Sequence, residues 1–197
     1  MSTNNNDDNS IRAIVPGVAG RMGKRIIEII SETDGISIAG GTEIKGSTLI
    51  GKDLGVETGI GANNIPISDS LENISNSGDV IIDFTTPEAS MGNLKAAILN
   101  KKDMVIGTTG LSNKQLDEIK KASNNVRIVY APNMSVGVNV LFKLIKEAAA
   151  VLGKGYDIEI IEAHHRYKKD APSGTAAKIA EILANETNRD ISKAGVY

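Results

Sequence analysis

The sequence predicts an α/β protein: a Rossmann-like, doubly wound parallel sheet followed by a second, incomplete α+β unit. Three observations predict it. Short β-branched runs alternate with helical stretches, a glycine-rich turn joins the first run to the first helix, and the alternation ends after Pro132. Strands that are apolar throughout, separated by amphipathic helices, belong to a parallel sheet covered on both faces.

Met1 to Ser10 is rich in Ser, Asn and Asp and carries neither a basic region nor an apolar run, so residues 1–10 are expected to be a disordered tail and not a secretory signal. A strand Ile11–Val15 then leads to a helix Arg21–Ser31, in which Met22, Ile26, Ile29 and Ile30 form one stripe and Lys24, Arg25 and Glu28 lie elsewhere. A second strand follows at Ile36–Gly40. Glu43–Ile67 breaks the rhythm with many Gly and turn signals such as Gly59-Ile60-Gly61 and Asn63-Asn64, and reads as a long loop holding at most one short helix or strand. The alternation resumes with strand Val80–Phe84 and helix Pro87–Leu99, where Leu94, Ala97 and Ile98 recur at helical spacing. Strand Met104–Gly107, helix Ser112–Ala122 and strand Arg127–Tyr130 complete a dinucleotide-binding domain placed at 11–131. The second domain, 132–197, opens with a helix Val138–Leu152, turns at Gly153-Lys154-Gly155, and continues with a strand Asp157–Ala163 and a helix from Thr175 to Glu186.

Composition narrows the function. The 197 residues hold 22 Lys+Arg against 24 Asp+Glu, a net charge of −2, and only 3% aromatics, which argues against a nucleic-acid binder. The absence of Cys excludes a disulfide scaffold, an iron–sulfur site and a thiol nucleophile. No apolar run is long enough to span a bilayer, so a cytoplasmic location and no membrane partner are expected.

The first chemical signal is Gly17-Val18-Ala19-Gly20-Arg21-Met22-Gly23 between the first strand and the first helix. Glycines there let the backbone turn sharply and approach a pyrophosphate, which the helix N-terminal amides can bind. The spacing is G-x-x-G-x-x-G, and a steric turn alone would explain it. Glu43 strengthens the nucleotide reading: it follows the second strand about 20 residues past Gly23, where an acid bonds the ribose hydroxyls of a dinucleotide. Two further loops, Asp83-Phe84-Thr85-Thr86-Pro87 and Gly107-Thr108-Thr109-Gly110, lie at strand carboxyl ends, where the fold builds its ligand crevice. Their hydroxyls could bond a carboxamide, and Thr86 or Ser112 could equally cap the next helix.

The second signal is the run from Glu162 to Thr175, Glu-Ala-His-His-Arg-Tyr-Lys-Lys-Asp-Ala-Pro-Ser-Gly-Thr, which contains both His of the chain. Hydroxyls and free amides at a helix start, beside Lys and His, make a site for a small anion such as a carboxylate. A solvated basic loop with an ordinary cap is the plainer alternative. A metal pair ranks last, because adjacent strand residues point to opposite faces and no Cys or third His is present; no metal is expected.

Several stretches resemble the dihydrodipicolinate reductase family: Gly17–Gly23 with its Gly-Arg-Met-Gly core, Ile82–Thr85, Val105–Gly110, Asn133–Asn139 and Glu162–Ala176. The resemblance implies reduction of 4-hydroxy-tetrahydrodipicolinate, a small dicarboxylate, with NADH or NADPH in diaminopimelate and lysine biosynthesis, by a homo-oligomer that is usually a tetramer. Carried onto matching positions, it places the pyrophosphate at Gly17, Val18, Ala19, Gly20, Arg21 and Met22, and the adenosine ribose at Glu43. It places the nicotinamide side at Gly107, Thr108 and Thr109, with Ala131, Pro132, Asn133 and Met134 near the ring. His164 becomes proton donor and acceptor, Lys168 a second proton donor, and His165, Gly174 and Thr175 substrate contacts. Ile44 stands where many relatives have a base, with Lys45 one position on, which leans the expectation to NADH. The chain stops at Tyr197, where family members continue. A catalytically incompetent dinucleotide-binding fragment is therefore the rival reading, and an unrelated sugar or hydroxy-acid dehydrogenase a third.

Overall fold

A computed structural model describes residues 10–166 and 171–194. The tail expected over 1–10, Ser10 apart, and the candidate Lys168 lie outside the described residues. The chain divides into two compact units, Met1–Ala131 and Pro132–Tyr197.

In the first unit the elements run β1 (Ile11–Pro16), α1 (Arg21–Ser31), β2 (Ile36–Thr42), α2 (Leu54–Thr58), α3 (Leu71–Ile74), β3 (Val80–Asp83), α4 (Pro87–Leu99), β4 (Asp103–Ile106), α5 (Asn113–Ala122) and β5 (Ile128–Tyr130). All five strands are parallel, in the order β2-β1-β3-β4-β5. The chain steps outward from β1 to β2 and returns on the other side of β1 as β3. The loops after β1 and β3 thus diverge, and a crevice opens at their carboxyl ends.

Side chains alternate across β1 and divide the core. Ala13 and Val15 pack with Ile27 and Ile30 of α1 and Leu54 of α2. Ile14 faces the other way, into a cluster with Ile81, Met104 and Ile106, closed by Met91, Leu94 and Ala97 of α4 and Ile119 and Ala122 of α5. Two covered faces account for the unbroken apolar runs.

The expected stripe on α1 is rotated in the structure. Gly23, Ile27 and Ile30 are buried, whereas Met22 and Ile29 are 46% and 44% exposed. Glycine carries no apolar signal, yet Gly23 marks the tightest approach of the helix: a Cβ there would lie 2.1 Å from the Gly17 carbonyl oxygen.

The segment read as a long loop is tied down. Asp53 caps α2 by accepting from the Val56 amide at 2.9 Å, and its other contacts hold the amides of Asn63 and Asn64. These backbone donors keep its carboxyl below the usual range. Helix α3 and the single 3₁₀ turn Ser75–Ser77 that follows it had no counterpart in the sequence reading.

The second unit contains α6 (Val136–Leu152), a 3₁₀ turn Gly153–Gly155, α7 (Gly174–Glu186) and α8 (Ile191–Ala194). Ser135 and Ser173 cap α6 and α7 by accepting from the Val138 and Ala176 amides. Helices α6 and α7 pack together, with Lys146 and Glu186 3.6 Å apart. The strand expected at Asp157–Ala163 is not formed. A strand exists only by pairing its amides and carbonyls with a neighbour, and no strand lies among the described residues of this unit. Arg189 instead donates to the Tyr156 carbonyl at 2.9 Å and anchors the start of the segment to the chain beyond α7.

Candidate functional site

The glycine turn after β1 is closed by its own hydrogen bonds. The Gly17 and Val18 amides donate to the Thr42 carbonyl at 2.8 and 3.2 Å, and the Gly20 amide donates to Gly17 at 3.0 Å. Gly17 holds φ +69°, a left-handed conformation that favours glycine, and a Cβ on it would touch Thr85 at 3.0 Å. The Ala19 amide donates to the Glu43 carboxylate at 2.7 Å. Val18 is fully buried and meets solvent through no side-chain atom.

What this arrangement leaves for a ligand is the first turn of α1. Its N-cap is Gly20, and no side chain caps the amides there. By contrast α2, α4, α5, α6 and α7 have their caps in Asp53, Thr86, Ser112, Ser135 and Ser173. An uncapped helix start with a glycine cradle fits a dinucleotide pyrophosphate, because unpaired amides and the positive end of the helix dipole both favour an anion.

Around the turn lies a cleft of about 740 Å³ lined by Gly17, Gly20, Arg21, Met22, Glu43 and the two residues after it, Ile44 and Lys45. Phe84, Thr85 and Thr86 of the loop after β3 form another wall, with Asn93 of α4. Glu43 therefore stands beside the glycine turn, and its carboxylate bonds the turn itself. Asp69 and Glu72 also line the cleft and were missed in the sequence, since they lie in the short α3 region that carried no pattern.

The loops after β3 and β4 are joined beneath the surface. Asp83, fully buried, accepts from the Thr85 amide at 2.8 Å, the Thr85 hydroxyl at 2.6 Å and the Asn93 amide at 2.9 Å. Ser90 of α4 and Thr108 form a buried hydroxyl pair at 2.6 Å. The Thr108 side chain is thus turned inward and Thr109 is exposed, and none of Gly107, Thr108 and Thr109 lines the cleft around the glycine turn. Gly107 makes a close approach: a Cβ would lie 2.0 Å from the Phe84 ring, which would have to move to admit it. Ala131 continues β5 toward Ile106, its amide donating at 3.2 Å. Of the two alternatives for the hydroxyl loops, the caps are present: Thr86 and Ser112 cap α4 and α5.

The second unit gathers another cluster. Glu162 accepts from the Ser173 amide at 2.9 Å and from its hydroxyl, and lies 2.8 Å from His164 Nε2. The Ser173 hydroxyl, then the imidazole and the Ser173 amide, pull the Glu162 carboxyl down to about 2. Ser173 is the N-cap of α7, so Gly174 and Thr175 occupy the first turn, and the Thr175 hydroxyl accepts from the Asn133 amide at 3.3 Å. The structure thereby brings together His164, Ser173, Gly174, Thr175 and Asn133. Glu162 stood in the quoted run without a role. Pro132 and Met134 are exposed at the start of the unit, and His165 is exposed beside His164. No group of His, Cys, Asp and Glu able to hold a metal ion occurs among the described residues. No helix among them is long and apolar enough to cross a membrane.

Known proteins share both halves of this arrangement. Residues 11–134 match the family model for dihydrodipicolinate reductase, N-terminus, and residues 137–196 match that for its C-terminus. A 4-hydroxy-tetrahydrodipicolinate reductase of Syntrophotalea carbinolica is 46% identical over 95% of this chain and 70% of its own length. One from Syntrophus aciditrophicus is 48% identical over the same shares. Among solved structures, a dipicolinate-bound dihydrodipicolinate reductase from Paenisporosarcina sp. TG-14 superposes with a TM-score of 0.69 at 29% identity, covering 90% of this chain and 67% of that one. With the glycine cradle, the buried hydroxyl link and the His164–Glu162–Ser173 cluster lying inside the matched stretches, the chain belongs to the dihydrodipicolinate reductase family.

Proposed function

We propose that this chain reduces 4-hydroxy-tetrahydrodipicolinate to tetrahydrodipicolinate, a step of diaminopimelate and lysine biosynthesis, with a nicotinamide dinucleotide as reductant. The observation that carries the reading is the His164 cluster at the capped start of α7, within a chain 46% identical to a reductase of that name.

The first unit grips the cofactor. Gly17, Gly20 and the α1 amides of Arg21 and Met22 receive the pyrophosphate, Val18 and Ala19 shape the turn, and Glu43 exchanges its bond to Ala19 for the ribose hydroxyls. Gly107, Thr108 and Thr109, with Ala131, Pro132, Asn133 and Met134, serve the nicotinamide end. Ile44 is 79% exposed on the cleft wall and offers no charge to a 2′-phosphate, so NADH is the preferred cofactor, with Lys45 permitting NADPH.

When bound, the nicotinamide supplies a hydride. The substrate loses its 4-hydroxyl as water to give a conjugated imine, and addition of the hydride to that system leaves electron density that must be neutralised and protonated. His164 delivers the proton as general acid. Lys168 provides a second proton and a positive charge for the substrate carboxylates, and the α7 start at Gly174 and Thr175, with His165, binds a carboxylate. The dicarboxylate, a homotetrameric assembly and a cytoplasmic setting complete the proposal.

Steady-state turnover of the purified chain beside NADH titration tests it, with pyridine-2,6-dicarboxylate as a competing planar dicarboxylate. His164→Ala and Lys168→Ala should each lower kcat by about 10²–10⁴-fold with NADH affinity nearly unchanged. Binding without turnover would support the rival reading of a dinucleotide-binding fragment.

A further inference from the structure

We propose that Glu162 is the positioning residue for His164: its carboxylate fixes the ring with Nε2–H toward itself and leaves Nδ1 as the atom that exchanges protons with substrate. The inference rests on the reductase reading for its kinetic arm alone.

The geometry is specific. Glu162 Oε2 lies 2.8 Å from His164 Nε2, and the same carboxylate accepts both the amide and the hydroxyl of Ser173. Ser173 in turn caps α7 by accepting from the Ala176 amide at 3.1 Å. Glu162 therefore ties the imidazole to the helix start that carries Gly174 and Thr175. Held below the usual carboxylate range, chiefly by the Ser173 hydroxyl, the group is ionised throughout the neutral region. An ionised carboxylate only accepts, so in this pair Nε2 must carry hydrogen. When the imidazolium gives up its Nδ1 proton, what remains is the neutral Nε2–H tautomer, the one Glu162 already holds. Reprotonation of Nδ1 from water restores the cation with no turn of the ring.

Only two His occur in the chain, so long-range ¹H–¹⁵N correlation spectra can be assigned with a His165→Asn variant as reference. The expected result is a neutral His164 ring that is predominantly Nε2–H in the native chain, a mixture of tautomers in Glu162→Ala, and near-native values in Glu162→Gln, whose side-chain oxygen can still accept. In turnover, kcat should fall by about 10–100-fold in Glu162→Ala and less in Glu162→Gln, with NADH affinity held. Ser173→Ala separates a structural role from a positioning one, since it removes the helix cap and should leave the tautomer ratio native. An Nδ1–H ring in the native chain, or a tautomer ratio insensitive to Glu162→Ala, overturns the proposal. If Glu162→Ala fails to fold, Glu162→Asp, whose shorter side chain draws the carboxylate back from Nε2, carries the same readout. A native chain without turnover would count against the reductase reading, and the spectra would still decide the role of Glu162.

Discussion

Replacing Gly23 by Ala should damage both the fold and cofactor binding, although by helix propensity alone it should stabilise. Ala exceeds Gly by roughly 1 kcal/mol in a helix interior. At Gly23 the added Cβ would lie 2.1 Å from the Gly17 carbonyl oxygen, 2.8 Å from the Val18 Cα and 2.9 Å from the Gly17 carbonyl carbon. All three are backbone atoms of the turn, so no rotamer change relieves the contact, and α1 or the turn must shift by about 1.4 Å to reach ordinary van der Waals distance. Overpacking of this kind costs about 1–3 kcal/mol, enough to cancel the propensity gain and lower Tm by a few degrees at ~2–4 °C per kcal/mol. The same shift misplaces the α1 amides. Loss of even one charge-assisted bond, about 1.5–3 kcal/mol, weakens NADH by roughly tenfold or more. Gly92→Ala is the internal control: Gly92 lies in α4 on the same cleft, and a Cβ there meets nothing within 4 Å. It should raise Tm and leave affinity little changed. Differential scanning fluorimetry and NADH fluorescence titration measure both quantities. If Gly23→Ala bound NADH as tightly as the native chain without loss of Tm, the close-approach reasoning would be refuted.

Other substitutions follow from the same geometry. Ile27→Ala empties a fully buried site between α1 and the sheet and should lower unfolding free energy by about 2–5 kcal/mol in urea titration. Ser90→Ala leaves the buried Thr108 hydroxyl without its 2.6 Å partner, and should lower stability by about 1–3 kcal/mol while weakening NADH binding through the loop after β4. Asp79 is pulled down to about 2, first by the Arg12 side-chain hydrogen bond and then by the Arg12 amide. A depressed carboxylate stabilises the fold above its unfolded value, ~3.9, and that contribution fades as pH falls through the window down to its folded value. Asp79→Asn should flatten the acid side of the stability–pH curve in that window, with a modest loss near neutrality because the pair is half exposed.

The alternating half of the fold was legible because each strand buried on both faces announces itself by an unbroken apolar run, and each helix by its period. Val80, Ile81 and Ile82 could hardly be anything else. Elements stabilised by single contacts were not legible: α3 has four residues and one buried hydrophobe, Leu71, and leaves no periodic trace. Asp157–Ala163 fails for the opposite reason. Its composition suits a strand, but pairing is a property of the partner, which a local pattern cannot supply. In the candidate site, glycines and histidines were visible by type, whereas Ser90 and Glu162 act through others. Both left a faint mark. Ser90 sits four residues before Leu94 on the buried stripe of α4, where a polar residue must find a partner, and Glu162 precedes His164 by two.

The opposed directions of Ala13, Ile14 and Val15 along one strand give the first unit two separately adjustable layers. Changes at Ile27 and at Ile119 are divided by the thickness of the sheet and share no packing partner, so their effects should sum within about 0.3–0.5 kcal/mol. Sequence drift beneath α5 can therefore proceed without disturbing the layer against which the glycine turn is seated, and a library varied on one side can be read out with the other as an unaltered reference.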